Sequence, residues 1–172
     1  MIQGKHILLR APEPGDLETI YRWENDPEVC LISLSGMPVS AFAVEQFILN
    51  ASLDPLIQGQ VRFMAERVHD HAVIGHTDLF EISAIHRRAG VGILLDKPYR
   101  QQGYGREMLN LLEDWSKKNL GLHQLWCTIA RNNEASIKLF TKAGFEQTGV
   151  RKAWRWTGDG WIDEVMMQKK IC

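Results

Sequence analysis

Residues 99–106 read Tyr-Arg-Gln-Gln-Gly-Tyr-Gly-Arg, with Gly103 and Gly105 standing between Arg100 and Arg106. A run of apolar residues, Met108, Leu109, Leu111, Leu112 and Trp115, follows at spacings of three and four, so a helix opens at the glycines. A helix start presents unpaired N–H groups and the positive end of the helix dipole. Glycine lets an anion approach that backbone, and the two arginines add charge, so the chemistry on offer is a phosphate or pyrophosphate cradle. The bland alternative is a glycine that eases a strand-to-helix turn. Named nucleotide motifs do not settle the matter. A P-loop needs Lys and Ser or Thr after its last glycine, where Arg106 and Glu107 stand. A dinucleotide fingerprint needs glycine or alanine where Met108 stands.

Other reactive side chains read more plainly. His69-Asp70-His71 lacks a third ligand at metal-binding spacing and reads as a solvated turn, so no metal is expected. Cys30, Cys127 and Cys172 are odd in number and far apart, which argues against a disulfide framework and for a reducing cytoplasm. His86-Arg87-Arg88 is a short basic loop. Trp154 and Trp156 alternate on one face of a predicted strand near Trp161, where packing is the default and an aromatic wall for an amine is the alternative.

The elements that must hold these residues follow from pattern. Residues 5–12 read as a strand ending at Pro12, and Gly15-Asp16 opens a helix to about Glu24. Asn25-Asp26-Pro27 breaks it, residues 28–39 read as irregular, and Ser40 caps a helix through Ala51. Strands are predicted over 60–67 and 72–82 about a turn at 68–71, and over 89–96, whose apolar run suggests burial on both faces. The helix that opens at Gly103 comes next, then a strand over 122–130 and a helix over 133–145 stopping at Gly144. A last hairpin turns at Thr157-Gly158-Asp159-Gly160. The order is β-α-α-β-β-β-α-β-α-β-β, a mixed α/β chain around one sheet, read as a single domain over 1–172. Its 172 residues, 45% hydrophobic and 24% charged, suit one globular core. A net charge of −1 gives no bulk attraction for nucleic acid, and no apolar run is long enough to span a bilayer.

The wider pattern resembles the GNAT N-acetyltransferases. Arg100-x-x-Gly103-x-Gly105, after a buried strand and opening a helix, is similar to that family's acetyl-CoA motif. Asn133-Glu134-Ala135-Ser136-Ile137-Lys138-Leu139-Phe140 followed by Lys142-Ala143-Gly144-Phe145 is similar to its second signature. Leu9 to Pro12 and Tyr21 to Val29 resemble the branch of ribosomal-protein N-terminal and spermidine acetyltransferases. The resemblance covers nearly the whole chain. It implies a mixed, mostly antiparallel sheet flanked by helices, and direct attack of an amine on the acetyl-CoA thioester. The acceptor would be a protein N-terminus or a small polyamine or aminoglycoside; three carboxylates between Tyr21 and Glu28 suit a polyamine.

Site roles come from the same resemblance. The strand Gly92 to Leu95, with Ile93, Leu94 and Leu95, would hold the pantetheine arm by its backbone, and Leu94 or Leu95 would give an N–H to the oxyanion. The N–H groups of Gln101, Gln102, Gly103, Tyr104, Gly105 and Arg106 would take the pyrophosphate, with Arg100 beside them. His86-Arg87-Arg88 would help with the 3′-phosphate or simply be surface. Asn133 would bond the cofactor arm, cap its helix, or both. Many members carry a tyrosine at Phe140 as general acid. Phe140 has no proton to give, so Ser136 is the candidate acid, unless the thiolate leaves unaided. Glu81 is the candidate base, with Asp78, Glu24, Glu28 and Asp163 as alternatives. A homodimer fits the resemblance. Two rival readings remain: an acyl-CoA-binding sensor without turnover, motivated by Phe140, and a structural subunit that binds no cofactor.

Overall fold

The computed structural model describes residues 1–32 and 37–172. Two compact units divide it: residues 1–10 with 54–172, and residues 11–53.

The larger unit is built on one eight-stranded sheet in the order β1-β2-β3-β4-β5-β6-β8-β7. Its strands are β1 (Ile2–Gln3), β2 (Ile7–Arg10), β3 (Val61–Arg67), β4 (Val73–Ser83), β5 (Arg88–Leu95), β6 (Gln124–Ala130), β7 (Glu146–Trp156) and β8 (Trp161–Lys170). Every pairing is antiparallel except β5 with β6. Parallel neighbours need a crossover, and the helix of residues 104–120 supplies it. The helices of this unit are α4 (Pro55–Gln58), α5 (Tyr104–Leu120) and α6 (Glu134–Lys142); those of the smaller unit are α1 (Leu17–Glu24), α2 (Pro27–Ile32) and α3 (Ala41–Asn50).

Strand alternation sorts the sheet into two faces. Leu79, Val91, Leu125, Cys127, Ile129, Val165 and Met167 point one way and form the core with Leu109 and Leu112 of α5 and Phe140 of α6. Burial pushes the Cys127 thiol up to about 12, so it behaves as an inert apolar residue. A carboxylate ties α5 to the sheet start: Glu107 Oε1 accepts the backbone N–H groups of Lys5 at 2.6 Å and His6 at 2.8 Å.

In the smaller unit α1 buries Ile20 and Trp23, and α3 buries Val44 and Ile48. Ser40 caps α3 through Ala43 N at 3.1 Å, as its residue type predicts. The Asn25 side chain donates to the carbonyls of Tyr21 and Val39 and accepts from Val39 N.

Several expectations need correction. The stretch 28–39 reads as irregular from its sequence, but Pro27–Ile32 is helical. Asp26 Oδ1 accepts Glu28 N at 2.9 Å, and Pro27 opens the helix where its missing N–H matters least. Residues 33–36 of that reading lie outside the described residues, and 37–39 are irregular as expected. Asp54 and Pro55 start α4 in the same way. Strand β5 is buried only at Ala89, Gly90 and Val91; Gly92 to Leu95 are half-buried. Trp154, Trp156 and Trp161 are 53%, 59% and 62% exposed, so their default packing role is not realised. The Trp156 and Trp161 rings touch each other at 5.4 Å, and Arg151 lies 5.0 Å over Trp154.

Candidate active site

Strands β5 and β6 part company. They pair at Arg88↔Gln124, Ala89↔Leu125 and Gly90↔Trp126 and no further, whereas β5 stays paired with β4 from Gly90 to Leu95. Asp96 N donates to Ile74 O at 2.9 Å, which fixes the phase of the β4–β5 ladder. Antiparallel residues alternate, so Leu94 opposite His76 and Gly92 opposite Asp78 turn their backbone groups to β4. Leu94 O comes so near Gly75 that a Cβ there would lie 2.1 Å from it. The backbone groups of Ile93 and Leu95 therefore face the edge that β6 has left. Of the two expected oxyanion donors, Leu95 has that orientation and Leu94 does not.

The open edge runs into the glycine turn. Asp96 Oδ1 accepts Lys97 N at 2.9 Å, and Arg100 Nε donates to Leu95 O at 3.0 Å. Gln102 Nε2 donates to Pro98 O at 2.8 Å. Gly103 caps α5 with φ +88°, a left-handed conformation that favours glycine, and a Cβ there would meet nothing within 4 Å. None of the N–H groups from Gln101 to Arg106 donates to an acceptor among the described residues. Gly105 has a different reason to be glycine. Its Cβ would lie 3.1 Å from Leu139 Cδ2 and 3.2 Å from Leu95 Cδ1, so β5, α5 and α6 meet there.

The second signature sits on α6. Asn133 Oδ1 accepts Ser136 N at 3.2 Å and caps the helix, leaving its amide NH2 for another partner. Ser116 and Thr141 bond their hydroxyls back to the carbonyl four residues earlier; the Ser136 hydroxyl makes no such bond among the described residues. Phe140 is 3% exposed and packs edge-to-face on Phe145 at 4.9 Å, so its ring belongs to the core.

The candidate bases divide by their partners. Glu81 is exposed, at φ +48° in a bulge beside Phe80, with no hydrogen bond or ion pair among the described residues. Asp78 lies in mid-strand and is only 22% exposed. Its carboxylate takes Arg62 in a two-pronged pair, Nε to Oδ1 at 2.7 Å and Nη2 to Oδ2 at 3.0 Å. Burial pushes that carboxyl up, but Arg62 and His76 outweigh it and hold it well below the usual carboxylate range. Asp163 accepts Ala153 N and Lys152 Nζ, each at 3.0 Å, and those bonds hold its pKa down. Glu24 and Glu28 lie on the smaller unit, in α1 and α2.

Sequence reading missed a row across the sheet. Phe80, Gly90 and Trp126 are cross-strand neighbours at the point where β5 and β6 part, with the Phe80 and Trp126 rings edge-to-face at 5.3 Å. The two-residue spacing of Gly90 and Gly92 carried the signal, since it puts both on one face of a strand. Among the described residues no cluster of three or more His, Cys, Asp or Glu could hold a metal. Among the described residues no helix is long and apolar enough to cross a membrane.

This arrangement can be set beside known proteins. Spermidine N(1)-acetyltransferase of Vibrio cholerae is 27% identical over 146 residues, 85% of this chain and 82% of that protein. The crystal structure of the Vibrio cholerae spermidine N-acetyltransferase in complex with CoA and spermine superposes with a TM-score of 0.85 at 25% identity, covering 96% of this chain and 95% of the other. The ribosomal protein bS18-alanine N-acetyltransferase of Escherichia coli is 35% identical over 79 residues, 46% of this chain and 53% of that protein. Residues 6–146 match the model of the Acetyltransferase (GNAT) domain, and with a sheet that opens beside a glycine turn in the same chain, the protein belongs to the GNAT acetyltransferase family.

Proposed function

We propose that this acetyltransferase uses acetyl-CoA to acetylate a primary amine of the polyamine class. The observation that carries the reading is the open β5 edge leading into six N–H groups, Gln101 to Arg106, that have no acceptor among the described residues. An extended arm can add to such an edge as a strand does, and a pyrophosphate suits a helix start with no side chain at its cap. Acetyl-CoA supplies an activated acyl group: the amine nitrogen bonds to the carbonyl carbon, the C–S bond breaks, one ammonium proton passes to water and the second ends on sulfur.

The residues of the chain then have distinct tasks. Backbone groups of Ile93 and Leu95 hold the arm, and one N–H of that edge, from Ile93 or Leu95, polarises the carbonyl, a contact worth about 10²–10³ in rate. Arg100 and Arg106 add charge beside the pyrophosphate. The Asn133 amide NH2 bonds the arm while its oxygen caps α6. Ser136 gives its hydroxyl proton to the departing sulfur and takes the second amine proton in its place. Glu81, through water, takes the first amine proton; a primary amine of pKa about 10 holds that proton by about 4 kcal/mol at pH 7. Asp78 is a poor base, because Arg62 keeps it ionised.

The polyamine class is favoured because the spermidine relatives match over most of the chain, and the ribosomal-protein relative over less than half. The second reading, a sensor that binds without turnover, rests on Phe140 being a core phenylalanine with no proton to give. Mass spectrometry of acetyl transfer to spermidine, an aminoglycoside and Ser- or Ala-initiated peptides separates these. Acetylated spermidine supports the proposal. Acetylated peptides alone would move the acceptor to protein N-termini, and thermal stabilisation by coenzyme A with no product would favour the sensor.

A further inference from the structure

Gly90 and Gly92 lie two apart on β5 and face the same side of the sheet, away from the helix-packed core that holds Val91. The structure explains only the first. A Cβ on Gly90 would lie 2.4 Å from Phe80 Cε2, so the Phe80 ring rests directly on that backbone. A Cβ on Gly92 would meet only ordinary contacts, Asp78 Cβ and Oδ2 at 3.6 Å and Phe80 Cε1 at 3.9 Å. Nor does Gly92 adopt a positive φ. A glycine that packing and backbone do not require, inside a strand, marks the close approach of another group.

We propose that the space over Gly92 seats the aminomethyl end of the acceptor, and that it selects a primary amine on an unbranched carbon. The inference rests on the acetyl-transfer reading above. The helix side of β5 is filled by the core, so an amine must reach the open edge from the side that carries Asp78, Phe80 and Trp126. An Asp78 carboxylate oxygen 3.6 Å from the Gly92 Cβ position is there for the ammonium, with acceptor capacity beyond its Arg62 bond, and the Phe80 edge at 3.9 Å is there for the methylene. Trp126, 5.3 Å from Phe80, extends the aromatic wall along the acceptor chain. An α-amine of a peptide carries a branch at the carbon that would sit over Gly92, and it fits this seat poorly.

The test is Gly92→Ala, with Phe80→Leu as a second variant. Gly92→Ala should leave Tm unchanged or higher, because the methyl clashes with nothing and stiffens the unfolded chain. Coenzyme A affinity should be unchanged, since the Gly92 backbone faces β4. KM for spermidine should rise about ten-fold or more, the effect of one misplaced methyl group. Phe80→Leu should also raise KM for spermidine with coenzyme A binding intact. Wild-type KM for spermidine retained in Gly92→Ala would overturn the seat while leaving the acetyl-transfer reading standing. A wild-type protein that acetylates no amine would overturn that reading and the seat with it. A large loss of Tm in Gly92→Ala would show that the glycine is structural, which also overturns the proposal.

Discussion

Replacing Arg62 by methionine should unmask how the Asp78 carboxylate is held. The side chains are 15% and 22% exposed, and their two bonds measure 2.7 and 3.0 Å. Unit charges about 3–4 Å apart attract by roughly 4–5 kcal/mol at an effective dielectric of 20. Partial burial takes back part of that as lost hydration, so the expected coupling is about 1–3 kcal/mol, above the median for an exposed pair. A double-mutant cycle with Arg62→Met, Asp78→Asn and both measures it by urea unfolding at pH 7. The pH dependence gives an independent check. Arg62 depresses the Asp78 pKa, so its stabilisation is fully present above the ordinary carboxyl value of 3.8 and fades as pH falls below it. The gap between wild type and Arg62→Met should therefore be widest near neutrality and narrow below about pH 4. A coupling under about 0.5 kcal/mol, or a gap that does not change with pH, would refute the reasoning.

Three further changes probe other parts of the structure. Glu164 is 1% exposed and holds Arg155 at 2.6 Å and Arg151 at 3.0 Å across β7 and β8. Glu164→Gln should cost about 3 kcal/mol and lower Tm by roughly 6–12 °C in a thermal scan. Gly103→Val places a branched residue at φ +88° and should cost about 1–3 kcal/mol, while coenzyme A affinity in calorimetry falls at least about ten-fold. Ser136→Ala removes a hydroxyl with no hydrogen bond among the described residues, so Tm should hold while kcat drops about 10²-fold; an unchanged kcat would show that the thiolate leaves unaided.

Much of the frame was legible because periodicity and caps decide it. Ser40, the glycine turn at 103–105 and the Thr157–Gly160 hairpin each act locally, and each element begins or turns there. Helix α2 was not legible, because Asn25-Asp26-Pro27 ends one helix and starts the next, and a breaker and a cap share those residue types. The half-burial of Gly92 to Leu95 depends on where β6 stops pairing, which no local pattern in β5 encodes. The same holds for the backbone phase that sets Leu95 apart from Leu94. Trp154 and Trp156 misled for a related reason: alternation gives the face a residue shares, not what covers that face. The pairing of Asp78 with Arg62 was not legible either, because it depends on the register between two strands rather than on either sequence alone.

The central claim is that coenzyme A lies along the β5 edge with its phosphates at the glycine turn. Residue-resolved amide hydrogen exchange with and without coenzyme A tests it most directly. The account predicts new protection at Ile93, Leu95 and the amides from Gln101 to Arg106, with little change at Gly92 and Leu94, already turned to β4. Exchange unchanged across both stretches at saturating coenzyme A, or protection that falls on Leu94 and spares the turn, would contradict it.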